Sequence, residues 1–216
     1  MRITTTEVQA AGMTWRVQRT GQPRAPQPPL VLLHGGGVDS ALLSYGAALE
    51  PLGAGGEVIA PDLPGYGGTT RPAPTDSCTS EWYVGSVLGL LDAMGLAEVD
   101  LGGLSLGGAI AIGTTLDQPA RVRRLLLFAP YGLTRHIPAQ RTALFLMRHK
   151  QLNDWAAQAA FASRSLTKAS LRWLISNKDR LTSEIVDAVL AEAKSEGAGD
   201  AWWAFQPSEI GSTGLR

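Results

Sequence analysis

A serine between two glycines, at the end of a short apolar run, constrains this chain most. Residues 101–110 read LGGLSLGGAI, in which Gly103, Ser105 and Gly107 make a G-x-S-x-G pattern before a segment with helical spacing. A serine at such a strand-to-helix junction lies on a tight turn, where larger residues two positions away would clash with the flanking backbone. The pattern therefore predicts that Ser105 presents its hydroxyl at the edge of a sheet.

The sequence around this motif alternates short apolar runs with helical patterns, which is typical of an α/β fold. A hairpin is predicted to open the chain, and the fully apolar runs after it predict parallel strands buried on both faces. From residue 135 onward glycine is sparse and helix formers dominate. The predicted strands are 3–8, 13–18, 30–33, 58–60, 99–103 and 122–128; the predicted helices are 41–50 with Ser40 as N-cap and Pro51 as stop, one that Thr79 or Ser80 caps and that ends near Gly95, and 106–116.

Composition excludes several classes of protein. The 216 residues carry 19 basic and 19 acidic side chains and are 44% hydrophobic, which predicts one ordinary core and no electrostatic footprint for nucleic acid or an anionic membrane. Cys78 is the only cysteine, so neither a disulfide nor a cysteine-based metal cluster is expected. The N-terminus is polar, and no apolar run reaches roughly 18 residues. We expect a cytoplasmic protein that needs no metal or cofactor and acts on a small molecule.

The residues around Ser105 suggest acyl transfer. The helix that follows Ser105 would point its N-terminal N–H groups at an oxyanion formed there. Three glycines at 35–37 follow the strand 30–33, and glycines let backbone N–H groups approach a substrate oxygen closely. We assign the oxyanion role to the N–H of Gly36, or of Gly37, together with that of Leu106.

Two other interpretations of the glycines stay open. Glycine-rich turns also serve close packing or phosphate binding, although this turn has no lysine for a phosphate-binding loop. The glycines after His34 could simply be a flexible turn that starts the next helix. We interpret His34 as structural, supporting the loop together with Gly35, because a base must reach the serine from a separate loop.

These motifs, in this order, resemble the α/β-hydrolase superfamily. The resemblance rests on HGGG at 34–37, DLPGYG at 62–67 and GLSLGG at 103–108. It implies a mostly parallel sheet with helices on both faces, and Ser105 as the nucleophile. It also implies an N-terminal core over 1–134, a helical cap over 135–209 like that of the esterase, lactonase and carbon–carbon hydrolase branches, and a return to the core at 210–216. The turn at 103–108 is the segment called the nucleophile elbow in this family. A serine at the elbow argues against the dehalogenase and epoxide hydrolase branches.

The family's pattern breaks after the elbow. The triad order is serine, then acid, then histidine on loops after later strands. The histidines after Ser105, His136 and His149, lie in the predicted cap, and no acid follows an apolar strand run. We expect about 60 residues of strand and helix to be missing. The acids in question are Asp117, Asp154, Asp179, Glu184, Asp187, Glu192, Glu196, Asp200 and Glu209.

Three functions follow as alternatives. A serine without a base stays protonated, so the first expectation is a weakly active or inactive hydrolase of small esters, lactones or related carbonyl compounds. His136 or His149 reaching back from the cap would rescue it. The second is a non-catalytic binding or assembly module, or a fragment that needs a partner to complete its sheet. In it the strand 122–128 forms an exposed apolar edge that favours pairing with another chain, including a second copy. The third is a cofactor-free acyltransferase, lyase or haloperoxidase on the same fold.

The late aromatic residues carry two interpretations. They could line an acyl or aromatic pocket beneath the cap, or they could pack the cap helices against one another. Trp202 and Trp203 are adjacent, so on a helix at most one of them faces the pocket squarely. The aromatic residues concerned are Phe145, Trp155, Phe161, Trp173, Trp202, Trp203 and Phe205.

Overall fold

A six-stranded, mostly parallel sheet forms the centre of the molecule, and it confirms the predicted α/β-hydrolase fold. The computed structural model describes residues 2–72, 78–133, 145, 149, 151–152, 155, 159–211 and 214–215. The strands are β1 (Thr4–Ala10), β2 (Met13–Thr20), β3 (Leu30–Leu33), β4 (Val58–Pro61), β5 (Val99–Leu104) and β6 (Val122–Phe128). Their order across the sheet is β1-β2-β4-β3-β5-β6.

The strand pairing brings the two glycine-rich loops together. β1 and β2 form the predicted antiparallel hairpin, β2 pairs antiparallel with β4, and β3 to β6 are parallel to one another. Leu33, the last residue of β3, is opposite Gly103 of β5. The carboxyl ends of parallel neighbours lie at one edge of a sheet. The loop at 34–37 and the turn at Ser105 therefore leave the sheet side by side.

Three helices cover the two faces of the sheet: α1 (Ala41–Gly53), α2 (Ser80–Ala93) and α3 (Leu106–Asp117). The Ser40 side chain accepts the Leu43 N–H, as predicted, and Thr79 caps α2. The prediction that Pro51 stops α1 is wrong, because Pro51 lies inside this helix. It lies in the last turn, where it removes one N–H donor while its carbonyl still accepts the N–H of Ala54.

Apolar side chains on both sides of the sheet form the core. The larger cluster lies beneath α2 and α3 and includes the fully buried Trp15, Leu101 and Ile110. The smaller cluster packs beneath α1, around Leu32 and Leu49. Burial on both faces explains why β3 and β4 are apolar at every position.

In the described part of the chain, three α-helices come after β6: α4 (Arg164–Leu174), α5 (Ser183–Ala193) and α6 (Asp200–Glu209). The two-residue strands β7 (Ile210–Gly211) and β8 (Gly214–Leu215) pair with each other in a separate small sheet. α6 is not separate from the core, because Phe205 is completely buried within the larger cluster. In the described part of the chain, the helices are all too short or too polar to cross a membrane.

β6 forms one border of the sheet and is poorly covered. Four consecutive apolar side chains, Leu125 to Phe128, are 36–46% exposed. Leu126 lies beside Gly102 and so shares the α1 face of the sheet with Leu32. Among the described residues no strand pairs with the outer side of β6, so the predicted apolar edge is present.

Candidate active site

The turn between β5 and α3 holds Ser105 in a strained conformation. Its φ is +51° and its ψ is −113°, a region that residues with a side chain rarely adopt. Two backbone hydrogen bonds fix the turn: the Ser105 N–H donates to Phe128 O at 3.0 Å, and the Tyr131 N–H donates to Ser105 O at 2.9 Å. The strain is thus held between the ends of β5 and β6.

The glycines on either side of Ser105 are required by space. A Cβ atom on Gly103 would lie 2.2 Å from the carbonyl oxygen of Gly107. One on Gly107 would lie 2.2 Å from the carbonyl oxygen of Leu33. Real Cβ atoms do not approach backbone so closely, so the turn exists only with glycine at both positions.

The Ser105 side chain does not cap the helix that follows it. Ser105 stands at the N-cap of α3, yet its side chain makes no capping hydrogen bond. Within the described ranges, its hydroxyl has no hydrogen-bond partner, and the residue is half-buried. A side chain that is displayed and uncommitted is suited to attack rather than to capping.

Both nitrogens of the His34 ring are occupied by backbone groups. Leu63 donates its N–H to Nε2 at 2.9 Å, so Nε2 is an acceptor and the proton is on Nδ1. Nδ1 then donates to the Gly35 carbonyl oxygen at 2.8 Å. The ring also meets Tyr66 edge-on, with 5.1 Å between centroids. His34 therefore ties two loops together and has no nitrogen left for Ser105.

The loop at 34–37, called the glycine loop below, lies against the turn that contains Ser105. A Cβ atom on Gly35 would be 3.6 Å from the Cβ of Ser105. Gly37 has a φ of +85°, and a side chain there would meet open space. In the part of the chain that the structure describes, neither the Gly36 N–H nor the Leu106 N–H meets an acceptor. Leu106 is the first residue of α3, where N–H groups have no partner within the helix.

Asp39 holds this loop in place, and the sequence analysis missed it. Its Oδ2 accepts the Gly35 N–H at 2.8 Å and its Oδ1 accepts the Ser40 N–H at 2.8 Å. The Ser44 hydroxyl donates to both oxygens. An aspartate just before the N-cap serine of a helix is a signal that could have been used, because aspartate often bonds nearby backbone N–H groups.

Asp62 supports the same loops from the other side. It is completely buried, and its carboxylate accepts the Gly68 N–H at 3.0 Å in the turn after β4. It also accepts the Ala41 N–H at 2.8 Å at the start of α1 and pairs with Arg16. The charge pair and the helix terminus together stabilise a buried carboxylate.

No titratable group in the described ranges contacts Ser105 as an acid or base. His149 is exposed, and its ring lies 4.5 Å from that of Phe145. His136 and Asp154 lie outside the described residues. Glu192 of α5 reaches the Ser40 hydroxyl at the start of α1, and burial raises the pKa of its carboxyl above the ordinary value. Burial also raises the pKa of the Tyr66 hydroxyl, which stays neutral.

Comparison with known proteins shows the family of this chain. A model of the "Alpha/beta hydrolase family" matches residues 30–210. The chain belongs to the α/β-hydrolase family. A relative described as the dihydrolipoyllysine-residue acetyltransferase component of an acetoin cleaving system, from Pseudomonas putida, is 30% identical over 80% of this chain and 42% of its own length.

Two hydrolases illustrate the likeness further. The 2-hydroxymuconate semialdehyde hydrolase of Pseudomonas putida is 35% identical over 62% of this chain and 46% of its own length. A meta-cleavage product hydrolase from Pseudomonas fluorescens IP01 has a similar fold, with a TM-score of 0.73 at 22% identity over 92% of this chain and 67% of its own. The chain spans less than half the length of the first curated relatives that it matches.

Proposed function

We propose that the chain is a serine hydrolase of small ester, lactone or related carbonyl compounds, with Ser105 as the nucleophile. The observation that carries the proposal is the strained turn, which displays a hydroxyl without a hydrogen-bond partner among the described residues. Strain of this kind persists only where the surroundings impose it, and here two backbone bonds and two obligatory glycines do so.

The neighbouring N–H groups suit the transition state of acyl transfer. Attack by the Ser105 oxygen on a carbonyl carbon turns the carbonyl oxygen into an oxyanion. We assign the N–H groups of Gly36 and Leu106 to that oxyanion, with Gly37 as the alternative to Gly36. Donors fixed in advance by a sheet and a helix need no rearrangement as charge develops, and one such donor contributes about 3 kcal/mol.

Proton transfer limits the proposed activity. The attacking hydroxyl must lose its proton, and none of the described imidazoles faces it. Serine proteases that lose their triad keep roughly 10³–10⁴-fold catalysis over water from the oxyanion hole and binding. We propose weak hydrolysis of that order for this chain by itself.

The names of the relatives widen the range of substrates. Hydrolases of 2-hydroxymuconate semialdehyde and of meta-cleavage products make carbon–carbon bond cleavage beside a carbonyl a candidate reaction for the same site. The relative described as an acetyltransferase component makes transfer of an acyl group to an acceptor other than water a second candidate reaction. We further propose that residues 135–209 act as a cap, which would enclose the substrate.

An activated aryl ester and a serine-directed phosphonate test the proposal. The protein should release the phenol slowly, and mass spectrometry should find the phosphonate on the peptide that contains Ser105. Ser105→Ala should abolish both signals. Ser195→Ala is the matched control, because this exposed hydroxyl bonds only the Glu192 carbonyl in the described structure. Labelling that survives Ser105→Ala would refute the assignment.

The exposed edge of β6 supports a second candidate function, as a module that pairs with another copy. Unpaired strand edges with apolar side chains are templates for pairing between chains. Light scattering tests it: a concentration-dependent dimer is expected, and Leu126→Lys should shift it to monomer. Leu116→Lys on α3 is the control, since Leu116 is 78% exposed and lines a groove between α2 and α3. A monomer at all concentrations would exclude this function.

A further inference from the structure

Helix α6 places aromatic rings beside the turn that contains Ser105. The rings of Trp202 and Phe205 are stacked, with centroids 5.7 Å apart and planes inclined by 23°. Both meet the ring of Tyr131, at 6.3 and 5.7 Å between centroids. Because the Tyr131 backbone is bonded to Ser105, these rings lie directly beside the turn.

Trp202 also lies against the glycine loop. A Cβ atom on Gly36 would be 2.5 Å from Cε3 and 2.7 Å from Cζ3 of the indole, and 3.4 Å from the Leu106 side chain. The indole therefore fills the side-chain space of Gly36, next to the two residues whose N–H groups we assign to the oxyanion. It spans the gap between the glycine loop on one side and Tyr131 on the other.

The two ends of this contact are held differently. Phe205 is completely buried and also meets Tyr83, with 6.1 Å between ring centroids. Trp202 is only half-buried. Its neighbour Trp203 lies along α6 near Gly199, with its indole nitrogen 3.8 Å from the Cβ position there. Phe205 thus anchors α6 in the core, whereas Trp202 is the ring that faces the site.

We infer that Trp202 limits the size of the acyl group that reaches Ser105. A small acyl group fits between the indole and the turn, whereas a bulky one must displace the indole from Gly36. This inference rests on the proposed function, since it takes Ser105 as the attacking residue. It adds a residue that selects substrates by size, on a helix far from Ser105 in sequence.

Labelling rates with two probes test the inference. One is a fluorophosphonate with a methyl group on phosphorus, and the other carries a naphthyl group. Trp202→Ala should speed labelling of Ser105 by the naphthyl probe about tenfold or more, which is the scale of steric discrimination in apolar pockets, and leave the methyl probe unchanged. Trp203→Ala, the matched control, should change neither rate. Equal acceleration of both probes, or of neither, would overturn the inference.

A second measurement does not depend on chemistry at Ser105. Gly36→Ala should lower the urea midpoint of the wild type, because the new methyl group displaces the indole, and should have a much smaller effect in the Trp202→Ala background. Additive effects would show that the contact is absent. Failure of both probes to label any variant would overturn the proposed function, whereas labelling without a size effect would overturn this inference alone.

Discussion

The loop after β3 and the hydroxyl of Ser105 are neighbours, yet among the described residues hydrogen bonds hold only the loop. His34 and Asp39 hold the loop after β3 by hydrogen bonds to Gly35, and the glycines on either side of Ser105 leave space for its turn. By contrast, the described structure gives the Ser105 hydroxyl no partner that could accept its proton. The comparison separates two parts of acyl-transfer chemistry: a sheet edge and a helix terminus position the electrophile's oxygen, whereas activation of the nucleophile needs an imidazole from another segment.

The largest expected effect on the free energy of unfolding comes from the glycines on either side of Ser105. Gly107→Ala forces a methyl group against the Leu33 carbonyl and should lower the free energy of unfolding by about 3 kcal/mol. Urea denaturation followed by circular dichroism measures it. Gly46→Ala is the control, because this glycine lies in α1 with open space around it and the change should stabilise by up to about 1 kcal/mol. Equal effects at the two positions would contradict the account of the turn.

Asp39 tests whether the glycine loop depends on one carboxylate. Asp39→Ala leaves the buried N–H groups of Gly35 and Ser40 without an acceptor and should cost about 2 kcal/mol of stability. It should also slow phosphonylation of Ser105 because Gly36 loses its support. A variant with normal labelling and normal stability would show that the loop is held by other contacts.

A smaller effect is expected from the pH dependence of Glu192. Burial raises the pKa of this carboxyl above 4.5 in the folded chain, so the folded state binds the proton more tightly than the unfolded state does. Its contribution to stability is therefore present below about pH 4.5 and is lost as pH rises through the folded pKa. Glu192→Gln should weaken the dependence of the urea midpoint on pH over that range.

Glu184 supplies the opposite sign as a control. Its hydrogen bond with Thr182 lowers the pKa of this exposed carboxyl. The stabilisation it gives is present above pH 4.5 and is lost as pH falls through the lower, folded pKa. Glu184→Gln should therefore remove stability at neutral pH and none in strong acid. If the urea midpoints of both variants changed with pH in the same direction, the contact of Glu192 on α5 with α1 would be wrongly assigned.

Local signals carried much of this structure. The strands 30–33 and 122–128 were predicted with the observed bounds, the first because its apolar run lies between Pro29 and His34. The G-x-S-x-G spacing predicted the tight turn at Ser105. Pro51 was misjudged because a proline in the last turn costs only one hydrogen bond.

Contacts between distant segments escaped the sequence analysis. The pairing of Arg16 with Asp62 joins residues 46 positions apart, and no local pattern connects them. The burial of Phe205 in the core of the sheet is equally invisible in the sequence, because Phe205 lies 77 positions after the end of β6 and no local pattern connects the two. The part of a site that follows from one turn can be predicted, whereas the part that depends on how distant helices dock cannot.

Chemical rescue by imidazole tests the central claim most directly. If the described site lacks only a base, free imidazole should accelerate hydrolysis of an aryl ester by the protein in a concentration-dependent manner, after subtraction of the rate of Ser105→Ala under the same conditions. We predict slow hydrolysis by the protein alone and a clear Ser105-dependent gain in rate with imidazole. Fast hydrolysis that imidazole leaves unchanged would show that Ser105 already has its base.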